Sequence, residues 1–461
     1  MIADFCEWFT INDQYHPFVT FIAMPSRRPL LLVIVLSSFS VVCASDTVSL
    51  ELKGDWTLLA ELGKATAELT VTPPDFIVVK AEKYDNLTLF DPNGAPWRKG
   101  LPLNGVYAQE CSTTGVLQPD SVIVRESQSP NSMVYEPDKD YQLDPFWGSI
   151  GRLEGGRITE KQPVFIDYIY AKKRLDSVVK TKDNQLALRR GEPHVTNPSP
   201  PTLPDGDVRL ANIFINGRIE KLTSENLFPI TETEYPEPPS AKPTVAEQFI
   251  PKTMQKLSAG QKVRILAWGD SVTDAGYLPN PATERWQEQF AVRLRKKFPQ
   301  AEIELLTEAW GGRNTDTYRN EPPGSPKNYA EKVLALKPDL IVSEFVNDAG
   351  MHGEYLDKRY SEILADFKEI GAEWIILTPH YVRADWMELE SEKNIDDDPR
   401  PYTKSVREFC AKNNVALADG AKRYGRLWRQ GIPYSTLMLN DINHPNKDGM
   451  KLFADALMEL F

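Results

Sequence analysis

From about Val245 to the C-terminus, short unbroken apolar runs alternate with longer stretches whose apolar residues recur every three or four positions. An unbroken run suits a strand buried on both faces, and the longer spacing gives a helix one apolar stripe. Strands are expected at 263–269, 303–310, 339–345, 374–379 and 415–419, with helices at 283–298, 329–336, 354–370, 403–413 and 446–461. In helix 283–298, Thr283 is the expected cap, and Trp286, Phe290 and Leu294 share one stripe. Strict alternation of this kind predicts an α/β domain over 246–461: three α/β/α layers around a flavodoxin-like parallel sheet. Such sheets bind ligands at the carboxyl ends of their strands.

The grammar before Val245 is different. Short alternating runs at 47–52, 67–72, 76–82 and 86–90, and longer ones at 163–181, 185–191 and 207–222, are broken by turns such as DPNG at 91–94. Residues 46–228 are therefore expected to form an all-β or β-dominated accessory domain. Its Trp97, Tyr107, Phe146 and Trp147 fit either a core or a platform for a sugar ring. Prolines gather at 198–201, within the β part, and again at 235–243, which marks a stiff linker over 229–245.

The first 45 residues read as a leader. Arg27-Arg28 precedes an apolar run from Leu30 to about Val42, with Val42-Cys43-Ala44 at the cleavage site and the true start at Met24. The run is short for a bilayer span, so the mature protein is expected to have none and to be extracytoplasmic, secreted or periplasmic. Of the four cysteines, Cys6 and Cys43 leave with the leader; Cys410, on an amphipathic pattern, reads as a buried thiol. A net charge of -12 argues against nucleic acid or an anionic membrane surface as main partner. No CxxC or HExxH spacing occurs, and neither a metal nor an organic cofactor is expected.

Three polar blocks follow strands, Gly269-Asp270-Ser271, then Trp310-Gly311-Gly312-Arg313-Asn314-Thr315, then Asn347-Asp348, and a fourth, Asp441-Ile442-Asn443-His444-Pro445, precedes the last helix at the same expected edge. Each alone has a bland reading. A serine at a strand-to-helix turn is usually a cap, paired glycines serve a tight turn, Asn-Asp holds a loop, and His-Pro opens a helix. Together they offer the parts of an acyl-transfer site: a nucleophile, a base, a group to orient the base, and donors for an oxyanion.

The order and content of these blocks resemble the SGNH, or GDSL, hydrolase family over residues 246–461. The resemblance implies Ser271 as nucleophile, His444 as base and Asp441 as its orienting acid. It implies an oxyanion hole from the amides of Ser271 and Gly312 and the side chain of Asn347. The doubled glycine leaves Gly311 and Gly312 both open, and spacing favours Gly312. Phe345 stands where the family usually has glycine, which places the site's width and Asn347 in question. Asp270 and Asp348 read as loop braces. Arg313 and His380 are candidate substrate contacts, and the polar insertion 381–401 is expected to border the site.

The expected function is an exported serine ester hydrolase working through an acyl-enzyme on a small-molecule or polysaccharide ester, foremost carbohydrate O-acetyl groups. The rivals are a lipase, lysophospholipase or thioesterase of the same fold, and a non-catalytic glycan-binding surface protein.

Overall fold

Five parallel strands carry the C-terminal half: β1 (Lys262–Gly269), β2 (Glu302–Ala309), β3 (Leu340–Glu344), β4 (Glu373–Leu377) and β5 (Ala416–Ala418). In the computed structural model, which describes residues 47–461, they are ordered β2-β1-β3-β4-β5. Ile265 pairs with Leu305 on one side and Leu340 on the other, so β1 is an interior strand and its end lies at the point where the strand order reverses. The leader expected over 1–45 lies outside the described residues.

Alternation along β1 divides the core in two. Val263, Ile265 and Ala267 pack against α2 (Trp286–Lys297) and α5 (Lys447–Met458), through Trp286, Phe290, Leu294, Phe453 and Leu457. Leu266 and Trp268 face the opposite layer, formed by α3 (Gly353–Glu369) and α4 (Pro401–Asn413), through Leu356, Ile363, Phe367, Val406 and Phe409. Each such side chain contributes about 1.5–3 kcal/mol by leaving water. One local expectation fails: Thr283 lies inside a separate turn of helix, Pro281–Glu284, and Arg285 breaks the helix before α2 begins.

The β-rich part contains only strands and 3-10 turns among its described regular elements, and it has two large cores rather than one. Val106, Leu117, Val124, Ile150, Val164 and Ile166 fill the first; Leu58, Ala60, Val178, Ala211 and Ile213 fill the second. The run at 163–181 splits into strands Val164–Ala171 and Arg174–Lys180, which belong to different sheets. Lys172 and Lys173 carry the chain across. The segment 86–90 forms only an isolated bridge, Leu89 with Arg152.

The proline-rich stretch is extended but tethered. Thr231 and Glu232 donate their amides to the Arg429 carbonyl, and the carboxylates of Glu232 and Glu237 pair with Arg426 and Arg423. The described residues 47–461 accordingly belong to one compact unit. Cys111 and Cys410 are both buried free thiols. Among the described residues no helix is long and apolar enough to cross a membrane.

Candidate active site at the carboxyl edge of the sheet

Gly269 ends β1 where there is no room for a side chain: a β carbon there would overlap Thr273 Oγ1 and the Glu344 carbonyl. Asp270 follows, fully buried, and caps α1 (Ser271–Asp274) by accepting the Val272 amide at 3.0 Å. Since α1 is a single turn, stabilisation of a developing anion falls to individual N–H groups rather than to a helix dipole. The Ser271 amide has no acceptor among the described residues.

Two buried carboxylates lock the loops together. Asp270 Oδ2 accepts the backbone amide of Asn347 at 2.9 Å and its side-chain Nδ2 at 2.8 Å. Asp348 accepts the Thr315 amide at 2.9 Å, the Thr315 hydroxyl at 3.0 Å and the Tyr360 hydroxyl at 2.9 Å. Burial pushes the Asp348 carboxyl up to about 7. It also raises Asp270 and Glu344, which repel one another beneath the site. One hydrogen of the Asn347 amide serves Asp270, and its second is free to point elsewhere.

Of the doubled glycines, Gly311 lies against the serine, where a β carbon would stand 3.6 Å from Ser271 Cβ. Gly312 adopts φ +72° with open space around it, in a turn closed by the Arg313 amide donating to the Trp310 carbonyl. Phe345 does not narrow the site. Its ring points into the core against Trp268, 4.8 Å between centroids.

His444 meets Ser271 directly, Nε2 standing 3.2 Å from Oγ. Asn440 Oδ1 holds the loop that carries the imidazole, accepting the amides of Ile442, Asn443 and His444 at 2.8–3.0 Å. Tyr277 covers one face of the ring, with centroids 4.2 Å apart and planes 3° from parallel. Only 4% of His444 is exposed, and burial pulls its pKa down to about 4, against the upward pull of Glu110.

The expected hydrogen bond between Asp441 and His444 is not made. Asp441 Oδ1 accepts from Lys173 Nζ at 2.8 Å, and Oδ2 accepts the Thr114 amide at 2.8 Å and its hydroxyl at 2.5 Å. Burial opposes that charge, but Lys173 and Thr114 outweigh it and hold the carboxyl below its usual range. Opposite His444 Nδ1 stands Gln109 Oε1, from the β-rich part, which also accepts Asn440 Nδ2 at 3.3 Å. Glu110 Oε2 lies 4.0 Å from the same ring nitrogen.

The two candidate substrate contacts separate. Arg313 is exposed at the rim, its guanidinium 5.1 Å from the Trp310 ring centre. His380 is fully buried against Tyr424 and Phe453 and has no surface to offer a substrate. The insertion 381–401 does border the site: Arg383 donates its amide to the Ile442 carbonyl and Nη1 to the Asp441 carbonyl. Its Trp386 rests on Trp97, at 5.2 Å. Of the four aromatics, Trp147 is buried, whereas Tyr107 and Phe146 are about half exposed. Among the described residues no cluster of three or more His, Cys, Asp or Glu is arranged to hold a metal ion.

A hydroxyl in contact with a buried imidazole at the switch point of a parallel sheet defines an ester-hydrolase class of domain. Residues 267–452 match the GDSL-like lipase/acylhydrolase family, and this part of the chain is a domain of that family. Among solved structures the chain is similar to a two-domain esterase active on acetylated mannans, with 17% identity and a TM-score of 0.37 over 46% of this chain and 52% of that one. It is also similar to an acetyl xylan esterase from Geobacillus stearothermophilus, with 19% identity and a TM-score of 0.34 over 43% and 94%. The chain thus spans about half the length of the two-domain esterase. No curated protein matches the sequence.

Proposed function

We propose that the protein is an exported serine ester hydrolase acting on O-acetyl groups of carbohydrate. Ser271 Oγ attacks the ester carbonyl while His444 Nε2 takes its proton; the imidazolium then protonates the departing alcohol, leaving an acetyl-enzyme. Water, deprotonated by the same nitrogen, releases acetate. The amides of Ser271 and Gly312 and the free hydrogen of Asn347 Nδ2 serve the oxyanion, each such donor contributing about 3–4 kcal/mol to the transition state. The 3.2 Å approach of Ser271 and His444 carries this reading.

The choice of carbohydrate rests on a cavity lined in part by Gln109 and Tyr277, the two residues that touch the imidazole. A cavity of about 340 Å³ is walled by Tyr107, Gln109, His194, Thr196, Asn197 and Tyr277. Burial and the nearby charge of Lys172 lower the pKa of His194, leaving this wall without a formal charge near neutral pH. Two tyrosines beside neutral amides and hydroxyls fit a sugar ring better than a polyanion, with Ala108, Val195, Pro279 and Leu439 completing the wall. Export follows from the basic pair and apolar run at 27–42.

The test measures acetate released from acetylated polysaccharides by the secreted protein and by Ser271→Ala, alongside chromogenic esters of rising chain length. Release abolished by the substitution, with acetate preferred over long chains, is expected. Equal release by both proteins removes Ser271 from the mechanism, and preference for long chains returns the lipase or thioesterase reading.

A further inference from the structure

The β-rich part does more than stand beside the hydrolase domain: it reaches the histidine. We infer that Gln109 is the residue that orients His444, taking the place that sequence order gives to Asp441. This rests on the proposed Ser271–His444 chemistry.

The hydrogen-bond inventory points one way. His444 Nδ1 faces Gln109 Oε1, and Asn440 Nδ2 donates to the same oxygen. Asn440 Oδ1 already accepts three backbone amides, so Asn440 must present its Nδ2 to Gln109, and that donor requires the Gln109 amide oxygen, not its nitrogen, to face it and the ring. Nδ1 therefore carries the hydrogen, and Nε2 is left with the lone pair that the Ser271 hydroxyl needs at 3.2 Å. Asp441 is already engaged by three donors from the β-rich part, Lys173 and two from Thr114, so its charge is spent on joining the two parts of the chain.

During attack the Ser271 proton passes to Nε2 as the Oγ–carbon bond forms, and the Nδ1 hydrogen stays on nitrogen, donating to Gln109. A neutral amide fixes the tautomer but gives the imidazolium less support than a carboxylate would. The groups around the ring agree with a base kept neutral to low pH: Tyr277 on one face, the neutral buried His380 nearby, and Asp441 paired away on Lys173. Among the described residues Glu110 is the one carboxylate paired with the ring, at 4.0 Å, and it is mostly exposed.

The test uses the full chain and compares Gln109→Ala, Gln109→Glu, Glu110→Gln and the double variant Lys173→Met with Asp441→Asn, each checked for folding by its thermal melt. Gln109→Ala is expected to lower kcat about 10- to 100-fold with little change in KM, because a misaimed base loses its geometry. Gln109→Glu is expected to keep turnover and move the acid limb of the pH profile upward by about one unit or more, which a merely structural role would not do. The double variant and Glu110→Gln should each cost less kcat than Gln109→Ala. Nitrogen NMR of the labelled imidazole reads the tautomer directly, in Ser271→Ala as well as in the parent chain. A kcat and pH profile unmoved by Gln109→Ala and Gln109→Glu, or a greater loss from the Asp441 or Glu110 substitutions, overturns the inference. If Ser271→Ala retains turnover, the hydrolytic reading fails instead, while the tautomer measurement still decides the place of Gln109.

Discussion

Tyr277 lies flat on the imidazole of His444, 4.2 Å away and within 3° of parallel, and its hydroxyl has no hydrogen-bond partner among the described residues. The phenol ring removes water from one face of the base and limits its rotation. Tyr277→Ala should open that face, lower kcat about tenfold or more and raise the acid limb toward the value of a solvated imidazole. Tyr277→Phe keeps the stack and deletes a buried unpaired hydroxyl, so the melting temperature should hold or rise. Equal kinetics in the alanine and phenylalanine variants would show that the stack has no part in holding the base.

The acid limb of kcat/KM on a neutral acetate ester should have its midpoint nearer 4 than the ordinary imidazole value of about 6.5. The sign for stability is the same. In the unfolded chain the imidazole takes its proton near 6.5, and in the folded chain only near 4. The contribution of the neutral ring is therefore full above about 6.5 and is lost as pH falls through that window. A pH–rate profile from 3.5 to 8 checks the first statement, and an acid limb at 6.5 would mean that the free enzyme hydrates this ring.

The sheet and three of its loop blocks were legible because the strands are short, mostly apolar runs and those blocks follow them directly, whereas Asp441–His444 is placed by the helix it precedes. Position at a strand end does not reveal which way a side chain turns. His380 ends the run 374–379 as the other blocks do, yet it points into the core, and Phe345 replaces a glycine without entering the site. The partners of His444 and Asp441 were illegible for a different reason. Gln109 is 335 residues from His444, and Lys173 is 268 from Asp441, so no local period links either pair. Only the GVYAQECSTTG segment, 105–115, packed against the hydrolase domain, brings Gln109 and Thr114 there. The contacts of the proline-rich stretch were illegible for a similar reason: proline content reports stiffness, not whether arginines such as Arg423 and Arg426 lie where they can bind it.

The two kinds of site glycine should respond differently to alanine. At Gly269 the added carbon meets backbone and a buried threonine that cannot withdraw, so Gly269→Ala should cost about 3 kcal/mol or more and lower soluble yield. At Gly312 the space is open and only the left-handed φ of +72° resists, a cost of about 1–2 kcal/mol. Denaturant midpoints of the two variants check the ranking. A Gly269→Ala protein as stable as Gly312→Ala would mean that β1 and β3 can separate at their ends.

Lys173, 4% exposed where the chain crosses between the two β cores, should be the costliest single surface-type residue to lose. Its ammonium is 2.8 Å from Asp441 Oδ1, and both side chains are at least nine-tenths buried. Removing one member of such a pair leaves a charge without water or partner, so Lys173→Met should destabilise by about 3–5 kcal/mol near neutral pH. Adding Asp441→Asn removes the stranded charge, and the double variant should recover a large part of that loss. Because the folded Asp441 has the lower pKa, its contribution is present above about 3.9 and lost as pH falls below it. The gap between single and double variants should therefore shrink near pH 3. Chemical denaturation at pH 7 and pH 3 measures both effects; a double variant no more stable than Lys173→Met at pH 7 would mean that water already reaches the Asp441 carboxylate.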